Sequence, residues 1–217
     1  ICLVPGLFRT VKRGDYEKKK NLHIVYEFGP KEKVEFLGFE PLGPEDLLVL
    51  QGLIAMAGKN KVAVLPDCEG KRGPALRKGM ELKGGAIDSL LSMVQCSFYD
   101  LAKEIGKNTN SGGVLNSLKA SIKRLWAVSI IVTSNDNWSG FRILSGIKVN
   151  DKTNQLWVAL NPRVTEAIFG KRPHTRINMA EIRQLKTGPA RLLHQRLSAI
   201  ISQGKSKKIL PETLMGY

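Results

Sequence analysis

The hydrophobic and polar positions along the chain change their period from one segment to the next. Two alternating runs, Leu22–Phe28 and Lys33–Leu37, flank the turn-forming residues 29–32 and predict a β-hairpin. A helix is predicted after it, because Pro44 and two carboxylates occupy a first turn that is followed by an apolar stripe. Gly58 is predicted to end this helix, since glycine is common just beyond a helix C-terminus.

Residues 97–126 carry the pattern of two helices separated by a short turn. Ser97 with Asp100 three residues later is a variant of the capping box, and it predicts a short helix that Gly106 ends. Ser111 is predicted to cap a second helix, because apolar residues then recur at helical spacing over four turns. The predicted buried face of this second helix consists of Val114, Leu115, Leu118, Ile122, Leu125 and Trp126.

A β-meander is predicted after the second helix, with turns at residues 135–137 and 150–152. A short helix, Arg163–Phe169, follows it. Two helices and then a meander is the element order of a winged helix, so the predicted fold class is α+β. The three predicted strands are Val128–Thr133, Phe141–Val149 and Leu156–Leu160.

The composition changes near residue 170, because residues 171–217 contain ten basic and two acidic residues. A helix is predicted there with Thr187 as its N-cap or as the residue before the N-cap, followed by a short strand at Lys207–Leu210. Its inward-facing residues are predicted to be Ala190, Leu193, Leu197, Ile200 and Ile201. Since no third helix or wing follows, this segment predicts an incomplete second winged-helix domain.

The predicted domain organisation follows from these patterns. An N-terminal winged-helix domain is expected at 1–170, with a basic arm at 9–20 and a long Gly-, Pro- and Lys-rich loop at 59–79. The start of a C-terminal winged-helix domain is expected at 171–217, truncated before its recognition helix and wing.

The charge balance indicates the class of partner. Lys and Arg number 34 against 19 for Asp and Glu, giving a net charge of +15. Such an excess attracts polyanions, and nucleic acid is the commonest polyanionic partner of basic proteins. No apolar run is long enough to span a membrane. Three scattered cysteines, Cys2, Cys68 and Cys96, form no disulfide framework and are expected to be reduced thiols.

The polar face of the helix that Ser111 opens is the main candidate for binding double-stranded DNA. Asparagine can read adenine edges, and lysine or arginine can read guanine or hold phosphates. The alternative is an ordinary amphipathic helix with a solvated face. The candidate DNA-binding residues of this helix are Ser111, Asn116, Lys119, Lys123 and Arg124.

Two further groups of cations are predicted to contact DNA. Those of the predicted wing would touch the backbone or the minor groove, namely Arg142, Lys148 and Lys152. Those of the C-terminal segment would contact phosphates, namely Arg191, His194, Arg196, Lys205, Lys207 and Lys208. For an isolated lysine or histidine, the alternative is a solvated or core side chain.

Catalytic motifs are incomplete in this sequence. Residues 204–206 resemble the end of a nucleotide-binding P-loop, but Ala199 stands where that loop requires glycine. Arg191, His194 and Tyr217 lack the arrangement of a recombinase site, and no carboxylate pair suggests a two-metal nuclease. The chain is therefore predicted not to be an enzyme and to use no cofactor and no metal.

Seven segments together resemble the iteron-binding replication initiators of IncQ-type broad-host-range plasmids, the RepC group. They extend along almost the whole chain, and their combination and order carry the resemblance. The segments are Pro5–Arg9, Gly38–Gly43, Leu53–Gly58, Tyr99–Gly106, Ser111–Gly113, Arg124–Ile131 and Ala190–Leu197.

The resemblance implies a function that the residue patterns alone do not. Members of this class have tandem winged-helix domains, bind direct repeats at the plasmid origin, help to open an adjacent AT-rich region and recruit a helicase. A plasmid primase also takes part, and the N-terminal domain can form a homodimer. The expected location is the bacterial cytoplasm, with plasmid DNA and no membrane. Two alternatives are a winged-helix transcriptional regulator and a dimerisation or protein-interaction module.

Overall fold

The structure is a computed structural model that describes Val4 and residues 6–10, 21–60, 63–64, 91–109, 112–171, 174–201 and 204–210. These residues form eight strands and six helices. The strands are β1 (Leu22–Gly29), β2 (Glu32–Gly38), β3 (Ala63–Val64), β4 (Leu91–Ser97), β5 (Ser129–Ser134), β6 (Asn137–Arg142), β7 (Leu144–Asn150) and β8 (Gln155–Leu160). The helices are α1 (Pro44–Asn60), α2 (Phe98–Glu104), α3 (Gly112–Ala127), α4 (Pro162–Ile168), α5 (Met179–Gln184) and α6 (Gly188–Ile200).

The first sheet joins two hairpins in the order β1-β2-β5-β6, with every pair antiparallel. The predicted hairpin at its start is confirmed, because β1 and β2 pair from Leu22 with Gly38 to Gly29 with Glu32. The β5–β6 connection is a two-residue turn in which Asn135 adopts a φ of 52°. Asparagine tolerates this left-handed conformation better than most residues, which suits it to a tight hairpin.

The second sheet has the order β3-β4-β8-β7 and carries the winged-helix arrangement. Along the chain, α1 leads to β4, then α2, α3 and the β7–β8 hairpin, which we call the wing. Strand β4 pairs with β8, which also pairs with β7, so the sheet brings the wing beside the helices. The fold is therefore α+β with a winged helix, as predicted.

The prediction of one strand over Phe141–Val149 is wrong. The chain leaves the first sheet after Arg142 and enters the second at Leu144, so β6 and β7 belong to different sheets. Ile143 lies between them and is buried, with its amide donating to the carbonyl of Val128. Residues 141–145, around the break, contain no glycine or proline, which explains why the sequence pattern did not show it.

Helix α1 crosses the centre of the core, where Leu47, Leu50 and Leu53 are buried. The prediction that Gly58 ends it is wrong, because the helix continues to Asn60. A Cβ on Gly52 would lie 2.4 Å from Ile105, so glycine allows α1 to approach the end of α2 closely.

Helices α2 and α3 match the predicted pair closely. The capping box is confirmed, because Ser97 and Asp100 exchange side-chain and backbone hydrogen bonds at the start of α2. Gly106 follows α2 with a φ of 72°, as a glycine that ends a helix commonly does. In α3 the predicted core residue Trp126 is instead 39% exposed, because the buried stripe passes through Leu118, Ile122 and Leu125 and leaves the indole at its margin.

The described part of the C-terminal segment packs on α1. Gln195 of α6 is buried and accepts a 2.9 Å hydrogen bond from the Gln51 side chain, and Ile182 of α5 joins the same hydrophobic core. Thr187 caps α6 as predicted, by accepting from the amide of Ala190. Helix α5 was not predicted.

Two further expectations for this segment are wrong. Leu193 is 43% exposed rather than inward-facing, because α6 turns Leu192 and Gln195 towards α1 instead. Residues 207–210 form no strand, and they follow α6 as an irregular segment. The division into domains at residue 170 stays a prediction.

Several expectations fall on residues that the structure does not describe. Ser111 and most of the basic arm at 9–20 and of the loop at 59–79 lie outside the described residues. Within that loop only the last two residues of α1 and strand β3 are described.

Candidate nucleic-acid interface

Helix α3 presents an exposed face over its N-terminal half and at Lys123. Its core side is fixed by Leu118, Ile122 and Leu125, which are buried at helical spacing. The opposite side therefore faces solvent, and its exposed residues are Gly113, Asn116, Ser117 and Lys123. Small and hydrogen-bonding side chains with a lysine at one end make a surface that a DNA groove can approach closely.

The wing is held beside this helix by its own turn. Asn150 accepts hydrogen bonds from the amides of Lys152 and Thr153, which closes the turn. Asn154 adopts a φ of 51°, and its carbonyl accepts from the amide of Phe98 at the start of α2. The wing tip is thus fixed to the helix-turn-helix, and the predicted contact residues Lys148 and Lys152 are exposed on it.

Lys119 joins α3 to the wing. Its ammonium lies 2.7 Å from Oδ1 of Asp151 in the wing turn and 5.5 Å from the centre of the Phe98 ring. The hydrogen bond from Lys119, followed by the charges of Lys119 and Lys123, holds the pKa of the Asp151 carboxyl below its usual value. The predicted residues Lys119, Lys123 and Lys152 are therefore gathered around one wing turn.

Arg142 lies near the other end of α3 and stacks on an aromatic ring. The centre of its guanidinium is 4.4 Å from the centre of the Trp126 indole, at the distance of a cation–π contact. Arg142 is exposed and ends β6 rather than lying on the wing. Its stack on Trp126 keeps a cation beside the C-terminal end of the exposed face of α3.

Arg124 is on α3 but does not belong to the exposed face. Its Nε and Nη2 donate to the Asp46 carboxylate over 2.8 to 3.2 Å, and Nη2 also donates to the hydroxyl of Ser121. Only 15% of the Arg124 side chain and 1% of the Asp46 side chain are exposed. Arg124 therefore forms a structural ion pair between α3 and the first turn of α1, and not the DNA contact that the sequence predicts.

The predicted cations of α6 are also engaged within the protein. Arg191 donates to the carboxylate of Glu45 at 2.9 Å and to the carbonyl of Leu185 at 3.0 Å, and its side chain is 12% exposed. These contacts fix α6 to the start of α1. The structure therefore gives Arg191 a structural role in place of the predicted phosphate contact.

His194 and Arg196 are half-buried on the same helix. Nε2 of His194 lies 2.8 Å from Oε2 of Glu181, which joins α6 to α5. Lys205, Lys207 and Lys208 differ from them, because they are exposed in the segment after α6. Of the predicted C-terminal contacts, these three lysines are the best placed to reach a phosphate backbone.

Sequence reasoning missed Asp151 and Trp126 as parts of this surface. The pattern predicts only a turn at Asp151, although an acid close to the basic residues Lys148 and Lys152 in a wing is a visible signal. The spacing of Trp126 fits the apolar stripe and so predicts a core position for it. Nothing in the local sequence indicates that Arg142 stacks on Trp126, because Arg142 is at the end of β6 and reaches the ring only through the fold.

Other chemistry is limited in the part of the chain that the structure describes. Within it, no cluster of three His, Cys, Asp or Glu side chains is arranged to hold a metal ion. No helix among the described residues is long and apolar enough to cross a bilayer. Cys96 is a free, buried thiol, and burial, with a smaller effect of the Asp100 charge, raises its pKa to about 12.

Comparison with protein families decides where the chain belongs. The family described as replication protein C (RepC) matches residues 1–217, which is the whole chain. The chain is a member of the replication protein C family. The predicted resemblance is thereby confirmed, and RepC membership assigns the chain to DNA replication. No curated protein matches the sequence.

Solved structures support the fold of this RepC chain. A crystal structure of selenomethionine derivatives of domains 2 and 3 of RctB matches 93% of the chain and 70% of that structure, with a TM-score of 0.58. A second crystal structure of RctB domains 2–3 matches 85% of the chain and 65% of that structure, with a TM-score of 0.56. Both are 11% identical to this sequence, so the likeness concerns the fold alone.

Proposed function

We propose that this RepC chain is a plasmid replication initiator that binds double-stranded origin DNA carrying direct repeats, or iterons. The exposed face of α3 would enter the major groove, and the wing would lie along the neighbouring backbone. Binding would promote opening of an adjacent AT-rich region and recruitment of the replicative helicase, with a plasmid primase as a further partner. A homodimer through the N-terminal winged-helix domain belongs to the same proposal.

One observation carries the proposal. The exposed residues of α3, with Asn116 and Lys123 among them, lie beside a wing whose own lysines, Lys148 and Lys152, are also exposed. A groove contact needs hydrogen-bonding side chains on a helix, and a backbone contact needs cations flanking it. This surface supplies both on adjacent elements.

The net charge agrees with this use. An excess of fifteen positive charges gives the protein a general affinity for a polyanion, whatever its sequence. Several of the arginines, such as Arg124 and Arg191, are neutralised by carboxylates inside the fold. Among the described residues, exposed cations lie on the wing, at Lys123 and after α6, and also elsewhere on the surface, at Lys103, Lys171 and Lys186 for example.

The test is the salt dependence of binding to repeat-containing origin DNA, measured by fluorescence anisotropy for the wild type and two matched variants. Lys123→Ala should weaken binding and reduce the slope of log affinity against log salt by about 0.9, because one phosphate contact is lost. Lys31→Ala removes the same charge from the exposed β1–β2 turn and should leave affinity and slope near the wild-type values.

Different outcomes identify the alternatives. A flat salt dependence in the wild type would contradict DNA binding and favour a protein-interaction module. Preference for one short palindrome over direct repeats would favour a transcriptional regulator, since palindromy mirrors a two-fold dimer. Equal losses for Lys123→Ala and Lys31→Ala would contradict the placement of the interface on α3.

A further inference from the structure

We propose that Asp151 is an internal competitor of DNA phosphate for Lys119, and so sets how tightly the helix–wing surface holds a duplex. Its carboxylate takes one N–H donor of the Lys119 ammonium in the free protein, and a phosphate that binds there competes for that donor and for the charge of the ammonium. The inference rests on the proposed function, because it concerns the same surface.

The geometry makes Lys119 the cation that both helix and wing share. Its ammonium is 2.7 Å from Oδ1 of Asp151, and it sits on α3 between Asn116 and Lys123, one helical turn from each. A phosphate that lies between the exposed face of α3 and the wing would approach this same ammonium. An ammonium has three N–H donors, so a phosphate competes with Asp151 for the donor that now points at Oδ1 and for the positive charge that attracts both.

The two partners differ in a way that allows exchange. The Asp151 side chain is 78% exposed, whereas that of Lys119 is 28% exposed and lies over the Phe98 ring. The lysine is thus held in place by the protein surface, while the carboxylate is solvated and free to turn into water. Exposed ion pairs are weak, so a phosphate with several other contacts can displace this one.

After displacement the carboxylate still lies at the wing tip. The turn is fixed by the Asn150 side chain and by the contact of the Asn154 carbonyl with the amide of Phe98. Asp151 therefore cannot move far from a bound backbone, and its negative charge opposes every phosphate placed there. Both effects, the competition and the repulsion, lower affinity for DNA of any sequence.

Asp151→Asn tests the proposal, because it keeps the size and polarity of the side chain and removes its charge. Binding to origin DNA and to a duplex of unrelated sequence is measured across a salt series. We expect the variant to bind both about two- to fivefold more tightly, since an exposed ion pair of modest strength is lost. The slope against log salt should become steeper by up to about 0.9, as for one added phosphate contact.

Two controls separate the proposed competition from a change of net charge. Asp136→Asn removes the same charge from the exposed β5–β6 turn, in the other sheet, and should change affinity much less. In a Lys119→Ala background, Asp151→Asn should keep only the part of its effect that comes from repulsion of phosphate, because the competition acts through that ammonium.

The outcomes are distinguishable from failure of the proposed function. If the wild type binds no DNA, the proposed function fails. If it binds with a steep salt dependence but Asp151→Asn leaves affinity unchanged, the competition is overturned. Equal gains from Asp136→Asn, or a full gain in the Lys119→Ala background, would overturn it as well.

Discussion

Replacing Arg124 by alanine should destabilise the protein rather than only weaken its DNA binding. The substitution removes two donors from the Asp46 carboxylate, at Nε and Nη2, and leaves that carboxylate with the 2.8 Å hydrogen bond from the Gly43 amide. Asp46 is fully buried, so solvent does not replace the lost donors. The charge is then uncompensated inside the fold.

The expected magnitude follows from the surroundings of the pair. Removing one partner of a buried ion pair costs about 3–5 kcal/mol. Asp46 lies in the first turn of α1, where the helix dipole stabilises a negative charge by about 0.3–1 kcal/mol. Because that contribution remains and Arg124 is partly exposed, we expect a loss near the lower limit, about 3 kcal/mol.

The assay is chemical denaturation followed by circular dichroism, which gives the free energy of unfolding for each variant. Lys123→Ala, the adjacent and exposed position on α3, is the matched control and should stay within about 0.5 kcal/mol of the wild type. An Arg124→Ala protein as stable as this control, with DNA binding reduced instead, would refute the structural ion pair and restore Arg124 to the interface.

Two further predictions concern the helices that support the interface. Ser97→Ala should cost about 1 kcal/mol of unfolding free energy in thermal or chemical melts, because α2 loses its capping box. The Ser97 hydrogen bonds lower the pKa of Asp100, so their stabilisation exists above the ordinary value of 3.8 and is lost as pH falls through the folded-state pKa. Ser97→Ala should therefore lose less stability on acidification than the wild type, and an identical acid profile would contradict this. Gly52→Ala should cost about 1–3 kcal/mol because its methyl would collide with Ile105, whereas Gly58→Ala in the same helix meets open space and should stabilise by up to about 1 kcal/mol. Equal effects at the two glycines would contradict the close approach of α1 and α2.

Local signals in the sequence were sufficient for the helix pair at the centre of the winged helix. Ser97 with Asp100, a glycine at 106 and four turns of regular apolar spacing are all short-range features, and the structure confirms each except for Trp126 at the end of the apolar stripe. The first hairpin was also predictable, because its two alternating runs and its turn are adjacent in sequence. Such elements are encoded by residues that lie close together along the chain.

Long-range contacts account for what the sequence did not reveal. Asp46 lies 78 residues before Arg124, so nothing near the arginine indicated that a buried carboxylate would take it from the DNA-binding face. Similarly, the side of α6 that faces α1 carries Gln195, which bonds to Gln51. With Gln195 inward, Leu193 faces solvent. The number of basic residues on one face of a helix is therefore only an upper limit to the number of cations that can contact DNA.

The most direct test of the central claim is photo-crosslinking from α3 to a duplex that carries direct repeats. A photoreactive amino acid is placed at Ser117, on the exposed face of α3, and in a second protein at Val25, which is 45% exposed on the first sheet. We expect the Ser117 variant to crosslink to the DNA and the Val25 variant not to. Crosslinking from Val25 with none from Ser117 would contradict it, because the duplex would then lie on the first sheet and not along α3 and the wing.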